Sequence, residues 1–208
     1  MPTRQAKQTT QHPVSAGNPC PFLRAMVASG KLADGQEPIS HIVSTIVDVA
    51  KKGEGTPTLP PAAIYGIAMV ANGLNPLTVL HSNLQGVQLN ALRNGPLDKK
   101  GVGSGILNAI GDVDSKELAR LGDFASEKTS TSGAKELGLS LGEIKTFMDA
   151  NLKRAEGKRR LVDRALMDGE WPVLLKVMGK DGSGGRYLSL ADVRELFVER
   201  RLPERMVG

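Results

Sequence analysis

The spacing of apolar residues is the feature that most constrains how this chain folds. Over residues 39–50, apolar side chains stand at positions 39, 42, 43, 46, 47 and 50, which places them on one face of an α-helix. The same spacing predicts helices over 21–30, 60–72, 115–123, 140–155, 158–168, 171–178 and 190–200. No convincing alternation of strand length and no internal repeat is evident. We therefore expect an all-α single domain of about eight to nine helices.

The composition narrows the class of protein. With 40% hydrophobic and 24% charged residues, the chain is typical of a soluble globular protein, and 3% aromatic residues leave the core to aliphatic side chains. The net charge of +5 comes from basic runs interleaved with Asp and Glu, which are typical of solvated helix faces, so we expect no nucleic-acid partner. A single cysteine excludes an internal disulfide framework and a multi-cysteine metal site.

Three segments bear on domain organisation and location. Residues 1–16 are polar without an apolar core segment, so they predict a disordered N-terminal tail rather than a secretory signal, leaving 17–208 as the domain. The apolar-rich stretch 59–80 is too interrupted by proline and glycine to span a membrane. The Ser-, Thr- and Gly-rich segment 125–138 is either a linker or a surface loop, and we favour a loop within one domain. We expect a cytoplasmic protein as the sequence is written, or a secreted one if a signal was trimmed.

The one cysteine lies between two prolines, in Pro19-Cys20-Pro21. Proline suits the first position of a helix, where its missing N–H costs nothing, so Cys20 is expected at the N-cap. The amides and the positive end of the helix dipole then favour thiolate over thiol. A stabilised thiolate serves as a nucleophile, a redox sensor or a metal ligand, and the stiff prolines suit a ligand best. The plain alternative is a small buried apolar side chain.

The segment around Cys20 resembles the opening motif of the haem-thiolate peroxidases, the family of chloroperoxidase and unspecific peroxygenase. The matching features are Pro19-Cys20-Pro21, Leu23, Gly30-Lys31-Leu32, Asp34-Gly35 and Ile39-Ser40. Near the end, LADVRELFVERRLPE over 190–204 is similar to the family phrase F-F-x-x-E-R-L-P-E. The resemblance covers roughly residues 17–204. It implies a chloroperoxidase-like helical fold and haem b, with Cys20 as the proximal iron ligand, flanked by Pro19 and Pro21.

Two central segments resemble the family more loosely. Gly111-Asp112-Val113-Asp114-Ser115 is similar to a loop that holds a divalent cation beside a haem propionate, although Ile110 stands where the family has glutamate. Gly111 shares the motif, and Asp112, Asp114 and Ser115 offer oxygens of the kind Mg²⁺ or Ca²⁺ requires, so a degraded site and no site both stay open. Glu170, followed by Trp171 and Pro172, is similar to the distal acid–base glutamate. Arg164 stands where some members carry a charge-stabilising arginine.

The resemblance implies a peroxide-dependent oxidation. A thiolate ligand pushes electron density towards iron and favours O–O cleavage, which needs a group to move a proton between the two oxygens. Glu170 is the candidate for that role, in which it would be buried beside Trp171. The alternative is a solvated carboxylate in the acidic segment Asp168-Gly169-Glu170. The implied partners are hydrogen peroxide and a small organic substrate or halide. The choice among halogenation, hydroxylation and one-electron oxidation stays open, as does the oligomeric state.

Three alternatives compete with a haem enzyme. The first is calcium binding, because residues 181–192 can be laid over the twelve-residue EF-hand loop. In that alignment Arg186 replaces the usual glycine and Asp192 the usual glutamate, while the ligand positions are filled by Asp181, Ser183, the Tyr187 carbonyl and Ser189. The second is a haem-binding sensor without catalysis. The third is a peroxide-reactive Cys20 that works without haem and needs an external thiol.

Overall fold

The computed structural model of the protein describes residues 11–53, 86–93, 103–155, 157 and 163–207. The helix predicted over 60–72 lies outside these residues. The helices within the described ranges are α1 (Pro21–Ala28), α2 (Ile39–Lys51), α3 (Ser115–Ala119), α4 (Leu141–Arg154), α5 (Asp163–Met178) and α6 (Leu190–Val198). The strands are β1 (Gln36–Glu37), β2 (Val87–Gln88), β3 (Ser126–Thr129), β4 (Lys135–Ser140) and β5 (Tyr187–Ser189). Short 3₁₀ helices form at Leu89–Ala91, Arg120–Asp123 and Glu204–Met206.

The expectation of an all-α fold with eight to nine helices is wrong, because two antiparallel sheets accompany the helices. One sheet pairs β1 with β2, and the other has the order β3-β4-β5. Segment 125–138 is neither a linker nor an unstructured loop, since it contains β3, the turn before β4 and most of β4. Strands of two to six residues are too short to show clear alternation. Their pairing depends on neighbouring backbone rather than on a local side-chain pattern, which is why the sequence did not reveal them.

A short internal repeat organises the three-stranded sheet. β4 and β5 pair antiparallel about Leu139 and Leu188, both fully buried, so the two strands are related by a local two-fold axis. Each strand ends in a serine, Ser140 or Ser189, that is the N-cap of the following helix, α4 or α6. The matching sequences are LSLGEI over 139–144 and LSLADV over 188–193. Six residues are too few to indicate a repeat in the sequence alone, which is why none was expected.

An aromatic cluster joins three helices in the core. Helix α5 continues through Pro172, so the predicted helices over 158–168 and 171–178 are one element where the structure describes them. Trp171 on α5 is buried, as expected for a core residue. Its ring meets Phe147 of α4 edge-on at 5.1 Å between centroids and stacks on Phe197 of α6 at 6.3 Å. This cluster packs α5 against both helices of the repeat.

The N-terminal segment lies against the ends of α1 and α6. The side-chain amide of Gln11 donates to the Glu199 carbonyl at 2.6 Å, and the His12 amide donates to the Ala28 carbonyl at 3.0 Å. The Ser15 amide donates to the Asp34 carboxylate at 3.0 Å. Residues 11–16 therefore make ordered contacts ahead of the boundary expected at residue 17, while residues 1–10 lie outside the described part.

None of the helices that the structure describes is both long enough and apolar enough to cross a membrane.

The Cys20 loop as candidate functional site

Cys20 is the N-cap of α1, and Pro21 occupies the first turn, as the sequence predicted. Its backbone is extended, with φ −87° and ψ 113°, and its amide donates to the side-chain oxygen of Asn18 at 3.1 Å. The side chain is half-buried and packs against the core, and it makes no capping hydrogen bond to the helix amides. The thiol therefore lies in the positive field of the helix start, which favours the thiolate.

Arg24 fixes the loop that carries the cysteine. Its guanidinium group is 2% exposed and donates to the Ser15 carbonyl at 2.9 Å, the Asn18 carbonyl at 3.1 Å and the Gly111 carbonyl at 3.1 Å. Burial is the main cause that lowers the pKa of Arg24, and the positive charges of Arg200 and Arg93 lower it further. No sequence motif predicted a role for Arg24 at this site. The available signal was a lone charged side chain within the apolar helix PFLRAMVA.

The segment with the predicted cation motif lies beside the Cys20 loop. Gly111 accepts from Arg24, and its φ of +79° favours glycine. A Cβ at this position would also lie 3.0 Å from a guanidinium nitrogen of Arg24. Arg93 adds a second link, since it donates to the carbonyls of Ala16 at 3.3 Å and Asn108 at 3.1 Å. The structure therefore brings two motifs of the family resemblance into one neighbourhood.

The oxygens expected to bind a cation serve other roles or face solvent. The Asp114 carboxylate caps α3 by accepting from the amides of Lys116 and Glu117. Asp112 and Ser115 are exposed, and Ile110 is 68% exposed. Within the described residues, no cluster of three His, Cys, Asp or Glu side chains could hold a metal ion. The Mg²⁺ or Ca²⁺ site thus stays a prediction.

Glu170 is exposed on α5, which agrees with the solvated alternative and contradicts burial beside Trp171. Consecutive helix positions point about 100° apart, and Trp171 faces the core, which turns Glu170 outward. Arg164 lies in the first turn of the same helix, and its side chain lies outside the described part. The structure therefore does not bring Glu170 and Arg164 into a described pocket with Cys20.

The segment aligned with an EF-hand loop forms a β-hairpin. Lys180 and Tyr187 exchange backbone hydrogen bonds at 2.8 and 2.9 Å, which closes residues 181–186 into a turn. Asp181 pairs with Arg186 at 3.0 Å, and Asp192 pairs with Arg205 at 2.7 Å. The carboxylates proposed as calcium ligands thus face arginine side chains.

A polar cluster around Glu136, which no sequence pattern predicted, holds this hairpin to β4. The Glu136 carboxylate accepts from Lys180 at 2.9 Å, from the Tyr187 hydroxyl at 2.8 Å and from the Ser189 hydroxyl at 2.5 Å. Burial alone would raise the pKa of Glu136, but the hydrogen bonds from Lys180, Ser189 and Tyr187 outweigh burial and lower the pKa. The three donors come from the hairpin and β5, so the cluster locks them to β4.

No family model matches the chain, and neither the curated proteins nor the solved structures include a significant match.

Proposed function

We propose that this protein is a haem-thiolate peroxidase or peroxygenase in which Cys20 is the proximal iron ligand. The observation that carries the proposal is the setting of Cys20: a half-buried thiol at a helix start, between prolines, in a loop held by the buried Arg24. A metal-bound cysteine must be deprotonated and must not move. The helix field and the rigid loop support both requirements.

The Cys20 thiolate is the donor that would hold the haem iron. A haem bound through Cys20 would supply cleavage of the O–O bond of hydrogen peroxide, and with it the oxidation of a small organic substrate or a halide. The protein's own contribution is to orient the loop that carries Cys20. The Arg24 hydrogen bonds fix the carbonyls of Ser15 and Asn18, which flank the turn that precedes α1. Asp112, Asp114 and Ser115 remain the proposed oxygens for an accessory Mg²⁺ or Ca²⁺.

Glu170 remains the proposed proton donor and acceptor, with Arg164 as the residue that would stabilise charge on the leaving oxygen. The exposure of Glu170 does not support this assignment, so it needs its own test. Glu170→Gln should abolish peroxide-driven turnover while leaving haem binding unchanged. Glu127→Gln, which removes another exposed carboxylate, should change neither. If Glu170→Gln behaves like the wild type, a different group moves the proton.

The first experiment on the proposal is the absorption spectrum of protein saturated with haem, ferric and then reduced under carbon monoxide. A strongly red-shifted Soret band in the carbon monoxide complex, lost in Cys20→Ala, would support thiolate ligation. Ser29→Ala, at the opposite end of α1, is the matched control and should leave the band unchanged. No haem uptake by the wild type, or a Soret band indifferent to Cys20→Ala, would contradict the proposal. Peroxide consumption by haem-free protein would instead favour thiol chemistry at Cys20.

A further inference from the structure

Arg200 has a backbone conformation that its side chain disfavours. It follows Glu199, the C-cap of α6, and its φ is +50°, the one positive φ of a non-glycine residue in the described part of the chain. Helices commonly end with a residue in this left-handed conformation, and that residue is usually glycine because a Cβ is strained there. Strained non-glycine residues that persist cluster at binding and active sites. The position alone therefore favours glycine, whereas the chain carries arginine.

The side chain of Arg200 differs from that of its neighbour. Arg201 is exposed and forms ion pairs with Glu199 at 2.9 Å and Glu195 at 3.4 Å. Arg200 is half-buried, and no ion pair or hydrogen bond of its side chain occurs within the residues that the structure describes. A guanidinium group offers five N–H donors, so the Arg200 side chain has donors with which to bind a ligand.

Arg200 adds a third positive charge to a neighbourhood in which Arg24 and Arg93 are balanced by Asp34 and Asp112. The segment 11–15 joins it to Arg24, because Gln11 donates to the carbonyl of Glu199, the residue before Arg200, and the Ser15 carbonyl accepts from Arg24 at 2.9 Å. The charge of Arg200 lowers the pKa of Arg24, after the larger effect of burial, and Arg93 acts in the same direction. Asp34 and Asp112 oppose the effect, which leaves three positive charges against two negative ones. An anion bound among these groups would relieve the repulsion.

A second unused donor borders Arg24. The side-chain nitrogen of Asn18 is fully buried and has no hydrogen-bond partner in the part of the chain that the structure describes, while the Asn18 carbonyl accepts from Arg24 at 3.1 Å. Buried amides are normally paired, so each exception calls for an explanation. An acceptor ligand next to Arg24 would provide one.

We infer that Arg24, Arg93 and Arg200 form a carboxylate-binding site beside the Cys20 loop, with Arg200 as the residue that contacts the ligand. The planar guanidinium fork matches a carboxylate through two parallel hydrogen bonds, which a lysine cannot reproduce. The carboxylate belongs either to a porphyrin propionate or to an organic substrate. The first source rests on the proposed function, whereas the site itself does not.

The test of the site uses benzoate as the probe and the arginine Nε–Hε resonances as the readout, with chloride at equal ionic strength as the reference. Benzoate should shift the Arg200 resonance saturably, and Arg200→Gln should weaken binding at least tenfold. Arg201→Gln, which removes the adjacent paired arginine, should bind benzoate like the wild type. Unchanged affinity in Arg200→Gln, or an equal loss in Arg201→Gln, would overturn the inference.

The variant Arg200→Gly distinguishes a role of the Arg200 side chain in ligand binding from a role in stabilising the end of α6. Glycine relieves the left-handed strain, so this variant should have a higher Tm than the wild type and should still lose benzoate binding. A lower Tm would mean that the arginine side chain supports the helix end, and would overturn the inference.

Haem and its dimethyl ester distinguish the two sources of the carboxylate. If the ligand is a propionate, Arg200→Gln should weaken haem binding at least tenfold and leave binding of the ester unchanged. If haem binds equally to wild type and variant while benzoate binding is lost, the carboxylate belongs to a substrate. Failure of the wild type to bind haem would refute the proposed function, and the benzoate titration would still decide the site.

Discussion

Replacing Arg24 by methionine keeps most of the aliphatic volume of the side chain and removes its donors. The carbonyls of Asn18 and Gly111, which accept from the buried guanidinium at 3.1 Å, would lose that partner. Each buried orphan costs about 1–3 kcal/mol. Part of this cost is offset, because the substitution also removes a positive charge whose burial is unfavourable. We expect Arg24→Met to lower the free energy of unfolding by roughly 2–4 kcal/mol.

Urea and thermal unfolding measure this loss. For a chain of this size, each kcal/mol corresponds to about 2–4 °C, so the Tm should fall by roughly 4–16 °C. Arg93→Met is the matched control, since Arg93 links the same two loops through solvent-exposed hydrogen bonds. It should cost about 1 kcal/mol or less. Alkylation of Cys20 by iodoacetamide should accelerate in Arg24→Met and not in Arg93→Met. Equal effects of the two variants on stability and alkylation would refute the argument that the buried guanidinium holds the cysteine loop.

Two further predictions concern the repeat. Burial alone would raise the pKa of Glu143, but hydrogen bonds from Lys128 and neighbouring serines lower it from 4.5 to about 2. The ionised carboxylate therefore stabilises the fold fully above pH 4.5, and this stabilisation is lost as the pH falls through the folded-state pKa. Glu143→Gln should therefore cost on the order of 1–2 kcal/mol at pH 6 and almost nothing at pH 2 in urea unfolding, and a pH-independent difference would contradict this. Leu188→Ala, at the fully buried centre of the repeat, should cost about 2–5 kcal/mol. Leu137→Ala, at a residue 52% exposed, should cost roughly 0.5 kcal/mol or less, and similar losses would contradict the burial argument.

The parts of the fold that the sequence predicted are those specified by local signals. Helices α1 and α2 were expected over 21–30 and 39–50 and are found at Pro21–Ala28 and Ile39–Lys51, because apolar spacing and Pro21 fix them within a single segment. The sheets could not be predicted in the same way. Gly138 pairs with Ser189 across the sheet, fifty-one positions away, and only the folded chain brings those backbones together. A Ser-, Thr- and Gly-rich sequence is equally compatible with a loop.

In the candidate site, too, the sequence predicted only the features that local signals specify. The position of Cys20 at a helix start follows from the local rule that proline suits the first turn, and the structure agrees. The burial of Glu170 was inferred from its neighbour Trp171, and that inference fails because adjacent helix residues face different directions. Arg24 was missed because it binds main-chain carbonyls, and any residue type can supply a carbonyl. A side chain that binds main-chain carbonyls therefore imposes no residue pattern on the segments that supply those carbonyls.

The two segments with the strongest family resemblance, residues 17–40 and 190–204, are neighbours in the folded protein. Helix α1 packs against α6, Gln11 donates to the Glu199 carbonyl, and the charge of Arg200 reaches Arg24. If the two segments form one binding site, they must lie close together in the folded protein. If each resemblance arose by chance, no such proximity is required. Cys20→Ala and Arg200→Gln test the two segments separately. Loss of haem binding in both, with Arg201→Gln unaffected, would mean that the resemblance at each end of the chain reflects one site.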